Sequence, residues 1–327
     1  MSRNTLVRLI GPLLCVVPLL VSGLAAQAQN YPTKPIKIVV PFGAGGVADL
    51  TARTVAKHMS ETLKTPVVIE NKPGAGGVVA TDAVAKAAPD GYTLLLMSNG
   101  NAVSVGLFKS LPFDTVADLA PISTLGFFDI AILAAADSPF KTFADLLAYA
   151  KANPGKLNIG SINIGSTQNL VAELFKTTAN IDAQIVPFNG SPAVIQALRG
   201  KQVDVAVEIL APVMGQIKGN TLRALAVTGD KRSDALPDVP TAKESGVDGL
   251  VASSWNALAA PAKTPPAVLD QLNKAAVAAI AAPDVAKTLR SLNVEPKSSS
   301  REQAAALLSS EIKRWGEIIE RAKIPKQ

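Results

Sequence analysis

Apolar residues from Ile36 onward arrive in two alternating rhythms. Short β-rich runs occur at Ile36–Val40, 67–70 and 92–97. Between the first two, residues 49–63 place Ala52, Val55, Ala56, Met59 and Leu63 on one face, the i, i+3, i+4, i+7 spacing of an amphipathic helix. Residues 78–88 read as a second helix, closed by the turn Pro89-Asp90-Gly91. Strand, helix, strand, helix, strand in that order predicts a parallel, doubly wound sheet.

The rhythm recurs downstream. Thr142, with Asp145 three residues on, fits a capping box for a helix that stops at Asn153-Pro154-Gly155. A strand at 157–160, the turn Gly165-Ser166-Thr167, a helix at 168–178 and a strand at 184–187 form a second unit. A helix at 192–198 and strands at 203–208 and Leu222–Val227 come next. Beyond Trp255 the pattern is mostly helical, at Pro266–Ala281, 283–292 and 301–322. Two α/β halves with a helical C-terminal segment are expected, and so apolar a tail must pack against one of them.

The first 28 residues stand outside this pattern. Arg3 and Arg8 precede an uncharged stretch, 9–24, that ends in Ala26-Gln27-Ala28. That layout is a cleavable secretory signal peptide, and the protein is expected to be exported. A transmembrane anchor is the rival, since 9–26 touches the lower length limit for a span. Pro12, Pro18 and the missing basic flank favour cleavage near Ala28. A lipoprotein anchored at Cys15 is disfavoured, because Leu14 before it is not small.

Export changes what composition implies. The chain has 327 residues, 48% of them hydrophobic and 18% charged, enough for a sizeable core and too apolar for disorder. Its formal charge of +6 drops by the two leader arginines to +4, and no polybasic run remains, so no nucleic-acid partner is expected. The one cysteine leaves with the leader, and a single histidine, His58, excludes a multi-His metal centre. His58 lies among polar positions, as a solvated residue does. Walker, Gly-x-Ser-x-Gly, HExxH and paired CxxC signatures are missing, so neither cofactor nor catalysis is expected.

A repeat carries the candidate chemistry. Gly43-Ala44-Gly45-Gly46 leaves the first strand, and Gly74-Ala75-Gly76-Gly77 leaves the second. Glycines let consecutive N–H groups converge on an anion, and the next helix adds its unpaired N–H groups and positive dipole end. Two such loops at neighbouring strand ends could pinch one carboxylate. Tight turns without a ligand are the plain alternative. Gly43-x-Gly45-x-x-Ala48, with Glu70 ending the next strand, also matches a dinucleotide fingerprint and leaves an NAD(P)-binding enzyme as a remote alternative. The Pro41-Phe42 step, the repeat of the motif and the export signal oppose it. Asp49 reads first as an acid stabilising the helix start, and second as a residue orienting the loop or meeting a ligand.

Longer motifs surround these loops. They include Tyr31-Pro32-x-Lys34-Pro35-Ile36, Val40-Pro41-Phe42-x-x-Gly45-Gly46-x-x-Asp49 and Asn71-Lys72-Pro73-Gly74-Ala75-Gly76-Gly77. Further along stand Ala88-Pro89-Asp90-Gly91-Tyr92-Thr93, Ala152-Asn153-Pro154-Gly155-Lys156-Leu157, Val186-Pro187-Phe188-x-Gly190, Leu222-Arg223-Ala224-Leu225-Ala226-Val227 and Leu236-Pro237-Asp238-Val239-Pro240-Thr241. Together they resemble the Bug-type substrate-binding proteins of tripartite tricarboxylate transporters, over essentially the whole exported chain.

The resemblance implies a two-domain α/β periplasmic binding protein, type II-like, that closes like a Venus flytrap on a small carboxylated ligand. Domain 1 would comprise 29–126 and 255–327, domain 2 would be 127–254, and the hinge crossings would fall near 127–130 and 251–254. It would act as a monomer that hands its ligand to integral-membrane transporter subunits; a sensor signalling to a membrane receptor is the alternative. By position, the implied ligand contacts are Phe42, Gly45, Gly46, Val47, Ala48 and Asp49 in the first loop, and Ala75, Gly76 and Gly77 in the second. Ser98 and Asn99 end the third strand in the same row. From the other domain come Ser161, Ser166, Thr167 and Asn169, then Phe188, Asn189, Gly190 and Glu208. Val47, Ala48, Asn169, Phe188 and Asn189 are less polar or less charged than the residues common in the family. That points to a weakly charged or aromatic monocarboxylate.

Overall fold

The computed structural model describes residues 31–321 and 323–327; the expected signal peptide and its cleavage point lie outside them. β1 (Ile36–Val40) runs between and parallel to β2 (Val67–Asn71) and β3 (Thr93–Ser98), as the alternating pattern predicts. The connecting helices are α1 (Val47–Leu63) and α2 (Val78–Ala85). α1 turns Ala52, Val55, Ala56 and Met59 inward and stops where Lys64 takes a left-handed φ of 51°. His58 is half-buried, and its Nδ1 lies 3.4 Å from the Thr62 hydroxyl.

Several elements went unread in the pattern. α3 (Asn99–Leu107) starts directly after β3, so Asn99 opens a helix and does not end the strand. β4 (Leu119–Ala135) is a single strand of 17 residues, buried along most of its length. A strand covered on both faces has no alternation to reveal it. The second unit forms as expected: α4 (Phe143–Ala152), β5 (Leu157–Ile162), α5 (Thr167–Thr178), β6 (Ala183–Phe188), α6 (Ser191–Arg199) and β7 (Val205–Ile209). After α7 (Met214–Lys218) and β8 (Leu222–Val227), β9 (Ser253–Pro261) occupies ground read as largely helical. Then come α8 (Pro266–Ala281), α9 (Pro283–Ser291), β10 (Val294–Pro296) and α10 (Arg301–Arg321).

The strands form one curled sheet in the order β2-β1-β3-β9-β4-β7-β5-β6, with β8 and β10 also paired to β4. β4 and β9 join its two halves. β4 pairs with β9 as far as Asp129↔Ser253, then with β7 from Ile130↔Ile209 and with β8 alongside. α10 packs on α3 and β4, so the apolar tail is buried against the first half. There Trp315 is fully buried, and its indole N–H is shared between Asn99 Oδ1 at 2.9 Å and Glu311 Oε2 at 3.0 Å. The second half has its own core, which includes Leu133, Ile162, Val194, Leu198 and Val213. Phe42, from the first glycine loop, packs against that core, and so does Phe188.

Candidate functional site

Four helices begin at one place in the fold. α1 and α3 start at the ends of first-half strands, and α5 and α6 at the ends of second-half strands. Each start directs a positive dipole end toward the cleft. Two of the four satisfy themselves. The Ser98 side chain caps α3 in a reciprocal box with Asn101, and Ser166 accepts from Asn169 N at 3.1 Å. The other two begin at glycine with no side-chain cap, Gly46 before α1 and Gly190 before α6. These uncapped starts face each other. A Cβ added to Gly46 would lie 3.5 Å from Ser191 Oγ, and one added to Gly43 would lie 4.0 Å from Gly190 Cα.

Between them is a cavity of about 30 Å³. The halves are therefore drawn closely together around it. Of the residues expected at the site, Phe42, Gly46, Val47, Ala48, Ser98, Thr167 and Gly190 line this cavity. Sequence reasoning did not single out Gln168, Ser191, Phe128, Ile162, Ile209, Ser254 or Asn256, which line it too. Gln168 and Ser191 are each one residue from a chosen position, a signal that was within reach. Phe128, Ser254 and Asn256 sit on β4 and β9, whose burial on both faces hid them. Among the described residues, the lining has no acidic or basic side chain.

The remaining expected residues stand behind the lining. Asp49 is 2% exposed, and its carboxylate accepts from Gly45 N, Arg53 Nε and Asn71 Nδ2, each at 3.0 Å. Burial pushes its pKa up, but the hydrogen bonds from Arg53, Gly45 and Asn71 outweigh that and hold it below the usual aspartate value. Asp49 therefore braces the first loop. Asn99 donates to Thr167 Oγ1 at 3.3 Å, which links the first half to the second. Ser161 accepts from Asn169 Nδ2 at 3.1 Å, and the pair fixes the start of α5. Asn189 is exposed and lies 3.5 Å from Asn163 Nδ2. Glu208 is fully buried; its Oε1 accepts from Gln168 Nε2 at 2.9 Å and from Ile209 N at 2.7 Å.

The second glycine loop is placed differently from the first. Ala75, Gly76 and Gly77 do not line the cavity. Gly76 instead packs so tightly on the turn before α5 that an added Cβ would lie 2.5 Å from the Gly165 carbonyl carbon. The first loop finds its counterpart across the cleft, at Gly190 and Ser191. Glu70, which the dinucleotide alternative needs for a ribose, is engaged at the surface by Lys37 at 2.8 Å and Lys72 at 3.7 Å.

A curled α/β sheet with helix starts from both halves gathered at one cleft defines a two-domain periplasmic binding-protein fold. Residues 51–324 match the family described as the tripartite tricarboxylate transporter family receptor, TctC, and the chain belongs to this family of periplasmic solute-binding receptors. It is 34% identical over 313 residues to protein BugT of Bordetella pertussis, covering 94% of this chain and 96% of that one. Among solved structures it is similar to the periplasmic binding protein BugD, with a TM-score of 0.87 at 33% identity, over 91% of this chain and all (100%) of that one. R. palustris Rpa4515 with adipate gives a TM-score of 0.87 at 30% identity, over 91% and 100% of the two chains. MatC of Rhodopseudomonas palustris with bound malate gives 0.83 at 32% identity, over 88% and 100%.

Proposed function

We propose that this receptor captures a small, weakly charged carboxylate in the periplasm and delivers it to the membrane subunits of a tripartite tricarboxylate-type transporter. One observation carries the ligand class: two uncapped helix starts, Gly46 and Gly190, face each other across a cavity without a charged side chain. Backbone N–H groups and helix dipoles suit one carboxylate, and nothing in the lining balances a second or third negative charge. Phe42, Val47, Phe128, Ile162 and Ile209 give the rest of the cavity an apolar character, which favours an aliphatic or aromatic body over a hydroxylated one. The ligands of the adipate- and malate-bound relatives support the carboxylate class.

Closure would bend the chain where β4 leaves β9 for β7, near 127–130, with the return crossing near 251–254. The first domain would then be 29–126 with 255–327, and the second 127–254. The protein acts as a monomer that binds and releases its ligand unchanged, after export by a signal peptide cleaved near Ala28. Isothermal titration with benzoate, adipate, malate and citrate tests the ligand class. Binding of benzoate at least about tenfold tighter than adipate, malate or citrate is expected; tight binding of a di- or tricarboxylate alone overturns it. Loss of labelled-ligand uptake on gene deletion tests delivery, whereas intact uptake with lost gene induction would mark a sensor.

A further inference from the structure

Glu208 sits where a receptor for anions has no evident use for an acid. It lies on β7, directly behind the cavity: its neighbour Ile209 and its hydrogen-bond partner Gln168 both line the space. It is 0% exposed, and while Oε1 accepts two N–H donors, Oε2 has no hydrogen-bond partner. A buried carboxylate with a bare oxygen and no cation bonded to it is costly, and an anion arriving beside it adds repulsion that solvent does not screen.

The elements packed on β7 bring no cation into hydrogen-bonding contact with Glu208. β5 and the turn Ala211–Val213 carry no titratable group, and β4 carries only Asp129. α5 carries Glu173 and Lys176, and α6 carries Arg199. None of these is hydrogen-bonded to Glu208. Burial is the chief influence on its carboxyl and raises its pKa; Gln168, Ile209 N and the nearby Ser191 hydroxyl pull the other way without overcoming it.

We propose that capture of an anion in this cavity is coupled to uptake of one proton by Glu208, so that Gln168 meets the ligand backed by a neutral carboxyl group. The inference rests on the carboxylate reading above. Protonation leaves Oε1 free to keep its two N–H donors and turns the bare Oε2 into a hydroxyl. It also removes the like charge beside the ligand. Glu208 is a positioning residue in this scheme, and it acts through Gln168.

Linkage sets the sign of the effect. Filling the site favours the protonated form, so affinity falls as pH rises between the free-state and ligand-bound titration points, with a limiting slope of about tenfold per pH unit for one proton.

Titration calorimetry with benzoate and with adipate between about pH 7 and pH 9, where both are ionised, reads this directly. Repeating each titration in buffers of different ionisation enthalpy counts the protons. Wild-type protein is expected to take up toward one proton per ligand. Glu208→Gln keeps an oxygen for the two N–H donors and puts an amide in place of the hydroxyl. It is expected to bind with no proton uptake and with affinity that does not change with pH. Wild-type binding without proton uptake overturns the coupling and leaves the carboxylate reading standing, and so does an unchanged pH slope in Glu208→Gln. Failure of both probes at every pH overturns both. The proton count on wild-type protein needs no variant, so a misfolded Glu208→Gln would not rescue the idea.

Discussion

The two glycine loops share the letters Gly-Ala-Gly-Gly and the same place after a strand, yet the fold uses them differently. In the first, only Gly45 takes a positive φ, 82°, and the extended Gly46 opens α1 toward the cavity. In the second, four successive residues have positive φ: Gly74 at 151°, Ala75 at 42°, Gly76 at 63° and Gly77 at 105°. Three residues after Gly46 stands Asp49, which braces its loop through Gly45 and Arg53. Three residues after Gly77 stands Ala80, a buried side chain that can brace nothing. The first loop presents N–H groups, whereas the second lets backbone touch backbone at Gly165. The same four letters thus take two backbone shapes, and which one forms depends on the residues after them and on the surface opposite.

Substituting the matched third positions breaks the comparison most sharply. Gly76→Ala drives a Cβ into the Gly165 backbone, where an overpacking cost of about 2–3 kcal/mol corresponds to roughly 30- to 150-fold weaker binding by calorimetry. Gly45→Ala meets only Pro192 Cγ at 3.6 Å, so just the left-handed backbone cost of about 1 kcal/mol is expected, roughly a fivefold loss. Equal losses in both would mean that the two loops do the same job.

Asp49→Asn sharpens the first loop's side of the comparison. Arg53 is half in solvent, which puts the charge-assisted bonds near the low end of their range, about 1 kcal/mol and again roughly fivefold in affinity. The Asp49 pKa is lowered in the folded protein, so its stabilisation is complete above the unfolded aspartate value. It is lost as pH falls through the lower folded value. Thermal melts of wild type and Asp49→Asn should therefore differ at neutral pH and converge in acid. Ala75→Gly has the smallest effect. It relieves a left-handed alanine, so a rise in Tm of about 2 °C with unchanged affinity is expected.

Much of this was legible in the chain. β1, α8 and β8 begin and end where the hydrophobic rhythm places them, and the Thr142 capping box forms with Asp145. The one-sided burial of α8 and the Thr142 cap of α4 leave a local trace in the chain. β4 and β9 leave none, because nearly every side chain along them is buried. The site was half legible for the same reason. Glycine starts and serine caps are local signals, so Gly46, Gly190, Ser98 and Ser166 could be chosen. Which of them meet across the cleft depends on how the halves are set together, and no spacing along the chain encodes that.

The pairing of Asp129 with Ser253 has a consequence for how such receptors diversify. The chain enters the second half and leaves it through two residues that sit side by side, so the intervening segment resembles a cassette clipped into one socket. A relative's 130–252 equivalent could be spliced in at those two joints without cutting any other strand of the first half. Six of the fifteen residues that line the cavity, from Ile162 to Ile209, would be traded in this way while the remainder of the molecule is inherited intact.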